Sequence, residues 1–202
     1  MKNFIFDFGM VLFNYDTKYM TGLYTENEED RDLLESVVFD RLYWDRLDRG
    51  ELSDGELIEA VLRRVPERLA QTAEKIYNNW VENLTPMPGM TELPGIIKSK
   101  GGRLYLLSNI SIGFAEKYRN IPAVCSVLSQ FDGLVFSGPL HMAKPDPEIF
   151  RFLLDKYQLS PEETMFIDDN QKNIEAAKEL GLHTFLFDGD SKKLLRHINK
   201  NM

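Results

Sequence analysis

The sequence predicts a doubly wound α/β domain, a parallel sheet covered by helices on both faces, with a helical insertion directly after the first strand. Three observations lead there. Five short runs rich in aliphatic and aromatic residues are apolar nearly throughout, as strands buried on both faces are. Amphipathic stretches of helical period lie between them. Residues 15–86 break that rhythm, with several helical patterns and no convincing strand.

The first run, residues 3–8, is Asn-Phe-Ile-Phe-Asp-Phe, and Gly9 ends it. The others are 103–108, 134–137, 164–168 and 183–187. Helical patterns cover 90–100, 147–158, 171–180 and 190–199 in the sheet region, and 26–47, 54–65 and 67–84 in the insertion. Breaks fall at Arg49-Gly50, Ser53-Asp54-Gly55 and Val65-Pro66, and Ser53 with Glu56 forms a capping-box pattern. Pro86 and Pro88 mark the return to the sheet. The expected division is therefore a core of residues 1–14 and 87–202 with an insertion of 15–86. An insertion at that point sits above the carboxyl ends of the strands, where open α/β sheets bind ligands. No internal repeat or low-complexity tract interrupts the pattern.

The composition narrows the function. At 202 residues there is room for one substantial domain with a smaller insertion. The balance of 24 basic against 32 acidic residues gives a net charge of −8, and no Lys/Arg cluster offsets it, which argues against nucleic acid. Cys125, the single cysteine, sits among apolar residues and reads as a packed thiol; an intramolecular disulfide and a Cys-based structural zinc site are excluded. The apolar N-terminal run is too short for a signal peptide or a membrane span, which makes a cytoplasmic location, with no membrane partner, the expectation.

Four polar signals fall at strand ends or just before helices. Asp7 follows an apolar run in which an unpartnered carboxylate is costly to bury, although a turn-forming Asp bonded to nearby amides is an alternative. Asp168 and Asp169 end the fourth run as adjacent acids that repel unless they share a cation; hard oxygen ligands of this kind suit Mg²⁺. The alternative is that Asp169 or Asn170 simply caps the following helix. Ser108 and Asn109 end the second run and can receive phosphate oxygens with the neighbouring amides, or cap a helix. Lys144, held between Ala143 and Pro145, either aims an ammonium into a site or lies solvated. In a parallel sheet these ends converge. A carboxylate nucleophile, a hydroxyl and an ammonium for phosphate, and acids for a metal together suffice for phosphoryl transfer.

With those residues in order, the chain resembles the haloacid dehalogenase superfamily over nearly its whole length. The motifs are Phe4-Ile-Phe-Asp-Phe-Gly-Met-Val-Leu12, Leu106-Leu-Ser-Asn109, Ala143-Lys-Pro-Asp146 and Phe166-Ile-Asp-Asp-Asn170 with Asn173-Ile-Glu-Ala-Ala177. The insertion resembles the small helical cap of the superfamily's sugar-phosphate phosphatases. The resemblance implies a Rossmann-like core and a Mg²⁺-dependent phosphatase acting on a small phosphorylated metabolite. It implies that Asp7 attacks phosphorus to form an aspartyl-phosphate and also ligates Mg²⁺. Ser108, Asn109 and Lys144 would bind the phosphoryl group, and Lys144 would also balance the charge of Asp7. Asp7, the Gly9 carbonyl, Asp169 and Asp168, the last directly or through water, would form the metal site.

One position departs from the pattern. The superfamily's phosphatases usually carry a second Asp two residues after the nucleophile as general acid and base, and here that position is Gly9. Asp16 is the nearest acidic substitute in sequence, though it also suits the hinge of the insertion. A positive φ at Gly9 would bar a side chain there. Two rival readings follow: a phosphate-binding scaffold that lost turnover with that acid, and a metal-independent haloacid dehalogenase, against which the paired acids argue. His141, His183 and His197 lack metal-ligand spacing, and Trp44 and Trp80 read as packing residues of the insertion.

Overall fold

Side chains alternate across the first strand, β1 (Asn3–Phe6), so that Phe4 and Phe6 enter one apolar layer while Ile5 enters the other. The computed structural model describes all residues, 1–202. Five parallel strands make the sheet, in the order β5-β4-β1-β6-β7, with β4 at Arg103–Ser108, β5 at Gly133–Phe136, β6 at Thr164–Asp168 and β7 at His183–Leu186. β1 is central, with Phe6 in register with Leu106 on one side and Ile167 on the other. Chain growth reverses across it, and that reversal opens a crevice at the carboxyl ends of the strands.

Helices cover both faces. On one lie α6 (Leu93–Ser99), α7 (Ile112–Lys117), α8 (Pro122–Leu128) and α11 (Ser191–Asn201); on the other lie α9 (Pro147–Tyr157) and α10 (Gln171–Glu179). Leu93, Val124 and Leu194 pack on the side of Phe4, whereas Ile149, Phe150 and Ile174 pack on the side of Ile5. Burying each such side chain contributes about 1.5–3 kcal/mol. The doubly wound expectation is met.

The insertion leaves and returns through a two-stranded ribbon, β2 (Phe13–Asn14) against β3 (Thr85–Pro86), with Phe13 opposite Pro86. Between them lie α1 (Thr17–Gly22), α2 (Glu28–Val38), α3 (Arg41–Asp48), α4 (Asp54–Leu62) and α5 (Glu67–Asn78). The predicted helix at 26–47 is thus two helices. Asp40 takes an extended conformation and accepts a hydrogen bond from the Leu42 amide, which starts α3 and ends any continuous run. The capping box of Ser53 and Glu56 is present. The pattern at 67–84 stops at Asn78, short of Trp80, and α1, α7 and α8 escaped periodicity because six or seven residues are too few to display it. One apolar cluster runs without a break from Phe6 through Phe8, Phe13 and Phe114 into Trp80 and Trp44, so sheet and insertion share a core. Trp80 stacks on Phe114 at 6.0 Å. No helix is long and apolar enough to cross a membrane.

Candidate active site

The loop after β1 turns back tightly on itself. The Leu12 and Phe13 amides both bond the Phe8 carbonyl, and the Met10 amide bonds that of Phe13. Met10, with φ 57°, is the left-handed residue of the turn. Gly9 is not, and a Cβ built on it meets nothing within 4 Å. The backbone at position 9 therefore accepts a side chain, because the positive φ that would bar one is not found there.

This loop aims Asp7 into an open cleft of about 200 Å³ at the carboxyl ends of the strands. Asp7 continues the ladder, since its amide donates to the Ile167 carbonyl at 2.9 Å. Its Oδ1 accepts from the Phe8 amide and from Lys144 Nζ, each at 2.7 Å. Oδ2 has no donor. Lys144 Nζ also reaches Asp168 Oδ2 at 2.7 Å, so one buried ammonium lies between two carboxylates. Burial pushes the Asp7 carboxyl up to about 7; Lys144 pulls it down and Asp168 adds to the rise. Burial disfavours the Lys144 ammonium, but Asp168 and Asp7 outweigh it and raise its pKa above the ordinary lysine value.

Asp168 is fully buried and occupied: besides Lys144 it accepts from the Asn170 amide at 2.8 Å and from Asn173 Nδ2 at 3.1 Å on each oxygen. Asp169, one residue on, opens into the cavity. Its carboxyl is raised by partial burial and by Asp168 beside it. Asn170 alone caps α10, accepting from the Lys172 amide at 2.9 Å, so capping leaves Asp169 unexplained. Carboxylate oxygens of Asp7, Asp168 and Asp169 lie within 4.8 Å of one another. This hard, oxygen-only donor set, with two of its members raised in pKa, fits a divalent cation such as Mg²⁺.

Ser108 ends β4 buried at the cavity wall, and its hydroxyl bonds no other protein group. Asn109 has a use that the sequence did not suggest. Its Nδ2 donates to the Lys144 carbonyl and its Oδ1 accepts from the Lys144 amide, both at 2.8 Å, so its side chain positions Lys144. One Nδ2 hydrogen and the main chain are left to meet an anion. Asp16 lies outside the cavity and caps α1, accepting from the Tyr19 amide at 2.9 Å. His141 is outside it too, against Gly50. Cys125 is partly buried in α8, away from the site.

The insertion supplies the opposite wall: Tyr15, Arg41, Trp44, Asp48 and Trp80. Tyr15, Trp44 and Trp80 meet edge to face, with centroids 5.3–5.8 Å apart, and the Trp44 indole N–H donates to the Val38 carbonyl at 2.7 Å. The two tryptophans are packing residues, as the sequence suggested, and wall the cavity as well. Arg49 bonds Asp146 at 2.8 Å, and Ser137 Oγ donates to the Asp48 carbonyl at 2.5 Å, tying the end of α3 to the core. Sequence reasoning missed Asp48, Arg41 and Tyr15, and gave the buried Asn173 a place in a motif but no role. One signal was available for Asp48, an acid in the last turn of a helix, where the dipole disfavours negative charge.

A family model for haloacid dehalogenase-like hydrolases matches residues 1–181. A D-ribitol-5-phosphate phosphatase of Bacteroides thetaiotaomicron is 30% identical over 192 residues, covering 92% of this chain and 91% of that protein. Rat bifunctional epoxide hydrolase 2 is 32% identical over 113 residues, 55% of this chain but only 20% of the larger enzyme's length. Among solved structures, the magnesium complex of an enzyme of the same superfamily from B. thetaiotaomicron superposes with a TM-score of 0.69 at 25% identity, covering 97% of this chain and 98% of that one.

Proposed function

Since the chain belongs to the haloacid dehalogenase-like hydrolase family, we propose that it is a Mg²⁺-dependent phosphatase of small phosphomonoesters that works through an aspartyl-phosphate on Asp7. The observation that carries this reading is the Asp7–Lys144–Asp168 triad with Asp169 beside it, at the wall of the cavity that the sheet supplies. A carboxylate with one oxygen held by Lys144 and the Phe8 amide and the other free is oriented to attack phosphorus. The ribitol-phosphate phosphatase and the magnesium complex support the substrate class and the metal.

Asp7, Asp169 and the Gly9 carbonyl would hold the cation, with Asp168 acting through water, because direct ligation would displace one of its donors. When bound, the ion supplies positive charge that neutralises the phosphoryl oxygens and lets the anionic Asp7 approach them. The chain's own groups do the rest. Ser108 donates its hydroxyl to a phosphoryl oxygen, and Lys144 balances the charge on Asp7 and on the transferring group. Asp168 and Asn109 keep Lys144 in place from its two ends. The aromatic wall and Arg41 receive the alcohol part, for which a sugar or polyol is the proposed class.

A phosphate-release screen over sugar and polyol monophosphates with Mg²⁺ tests the reading. Turnover should stop in EDTA and in Asp7→Asn, and berylliofluoride, which mimics the phosphorylated carboxylate, should inhibit. Absence of phosphate release from every ester, or full activity of Asp7→Asn, would refute it.

A further inference from the structure

A phosphatase of this kind must protonate the oxygen that leaves and deprotonate the water that follows. Position 9, two residues after the nucleophile, has open space around it but no side chain. Asp16 is occupied as the cap of α1. Among the carboxylates that line the cavity, Asp7 and Asp169 belong to the nucleophile and metal set, which leaves Asp48.

Asp48 is suited by its placement. It ends α3 on the wall facing Asp7, and its main chain is anchored to the core by Ser137. Its carboxyl is half-buried and takes part in no hydrogen bond or ion pair, so it is partnered neither by Arg41 nor by Lys144, whose salt bridges go elsewhere. The charged groups that face it are Arg41 and Asp45 on its own helix and Lys144 from the loop before α9; the Tyr15 and Tyr77 hydroxyls are also near enough to feel its charge. Burial pushes its carboxyl up to about 7, with Arg41 pulling down, Asp45 pushing up and Lys144 pulling down. A group that holds its proton at neutral pH and releases it nearby is what proton transfer in both directions needs.

Building on the phosphatase reading, we infer that Asp48, carried on the insertion, is the general acid and base of this site. In the first half, an Asp7 oxygen bonds to phosphorus as the ester P–O bond breaks, and the Asp48 carboxyl gives its proton to the departing oxygen, forming the alcohol. In the second, Asp48 as carboxylate takes a proton from water while that water's oxygen attacks the phosphorus of phospho-Asp7. The bond from phosphorus to Asp7 breaks, phosphate leaves, and both carboxyls return to their starting states.

The test compares an alkyl ester, a sugar or polyol phosphate, with p-nitrophenyl phosphate, whose leaving group needs no proton. Asp48→Asn should lower kcat/KM, which reports only the steps up to release of the alcohol, roughly 10²–10³-fold on the alkyl ester and less than about 5-fold on the aryl ester, while kcat falls for both because hydrolysis of phospho-Asp7 is shared. The alkyl-to-aryl rate ratio of the native protein should fall as pH rises through 7, and in Asp48→Asn it should be flat; taking the ratio cancels groups that act on both esters. Asp48→Glu should keep a large part of the alkyl activity. Berylliofluoride should still raise the melting temperature of Asp48→Asn, which shows an intact phosphate end. Equal losses of kcat/KM on the two esters, or none, would overturn the assignment while leaving the phosphatase standing. An enzyme that releases phosphate from no ester overturns both. Should Asp48→Asn not fold, the native protein still decides: a shallow dependence of log kcat/KM on leaving-group pKa, with phosphoryl transfer to Asp7 limiting it, supports a protein acid, and a steep one overturns it.

Discussion

Replacing Lys144 with Met keeps most of the side chain's length and apolar stem but removes the charge that two carboxylates share. In the native chain Nζ is 2.7 Å from Asp7 Oδ1 and 2.7 Å from Asp168 Oδ2, and the Lys144 and Asp168 side chains are 1% and 0% exposed. Breaking a buried pair by deleting one partner leaves an uncompensated charge and destabilises by about 3–5 kcal/mol. For a chain of this size each kcal/mol lowers the melting temperature by about 2–4 °C, so Lys144→Met should melt about 6–20 °C below the native protein in EDTA. Mg²⁺ should recover part of the loss by binding the excess charge of the folded state. Arg49→Met is the matched control, because its pair with Asp146 is 37% and 49% exposed and such pairs contribute at most about 1 kcal/mol. Thermal unfolding followed by circular dichroism gives all three values. If Lys144→Met melts no lower than the Arg49→Met control, the buried ammonium is not what reconciles the two acids, and the electrostatic account of the site fails.

Three further outcomes follow from the same geometry. Asp169→Asn should raise the Mg²⁺ concentration for half-maximal activity at least about tenfold, with little change in melting because Asn170 is the helix cap; a melting loss with unchanged metal dependence would make Asp169 structural. Asp48 ionises near 3.8 when unfolded and near 7 when folded, so the folded chain holds the extra proton between those values and loses stability as pH rises through that window. Asp48→Asn should therefore unfold at higher urea than the native chain at pH 8, by up to about 4 kcal/mol, and differ little at pH 4; a variant less stable at pH 8 contradicts the raised carboxyl. Adding Gly9→Asp to Asp48→Asn should restore hydrolysis of alkyl phosphates by at least about tenfold, since position 9 has room and no positive φ; a folded double variant with no gain would mean a carboxylate there cannot reach the leaving oxygen.

The sheet was readable because its strands are buried on both faces, as in Leu104 to Leu107, and continuous apolar runs of that length leave few other options. The order of Asp7, Ser108, Lys144 and Asp168-Asp169 was readable because parallel topology alone brings strand ends together. What lay beyond reach depended on local choices with near-equal alternatives. Asp40 within a helical pattern can be an interior residue or a cap, and only packing decided for the cap. Asn109 can offer its amide to an anion or to main chain, and its bonds to the Lys144 loop, which add a positioning use to the expected one, depend on how that loop approaches. The turn after β1 has one left-handed residue, and it is Met10 rather than the neighbouring Gly9. The acid in the last turn of a helix was the one sign of Asp48, and its meaning as a site residue comes from the docking of α3 against Ser137, a contact across 89 positions of sequence.

The entry of the insertion through a ribbon only two residues wide also has a consequence for how such a protein can change over generations. On the proposed function, the residues that handle the phosphoryl group are encoded before Phe13 or after Pro86, and the wall that would meet the alcohol, together with Asp48, is encoded between them. Mutations in the intervening stretch can thus alter which alcohol is accepted, and how its oxygen is protonated, without touching Asp7, Lys144 or the acids of β6. The shared apolar seam of Trp80 on Phe114 sets the condition for such exchange: a replacement stretch must present a flat ring where Trp80 now lies.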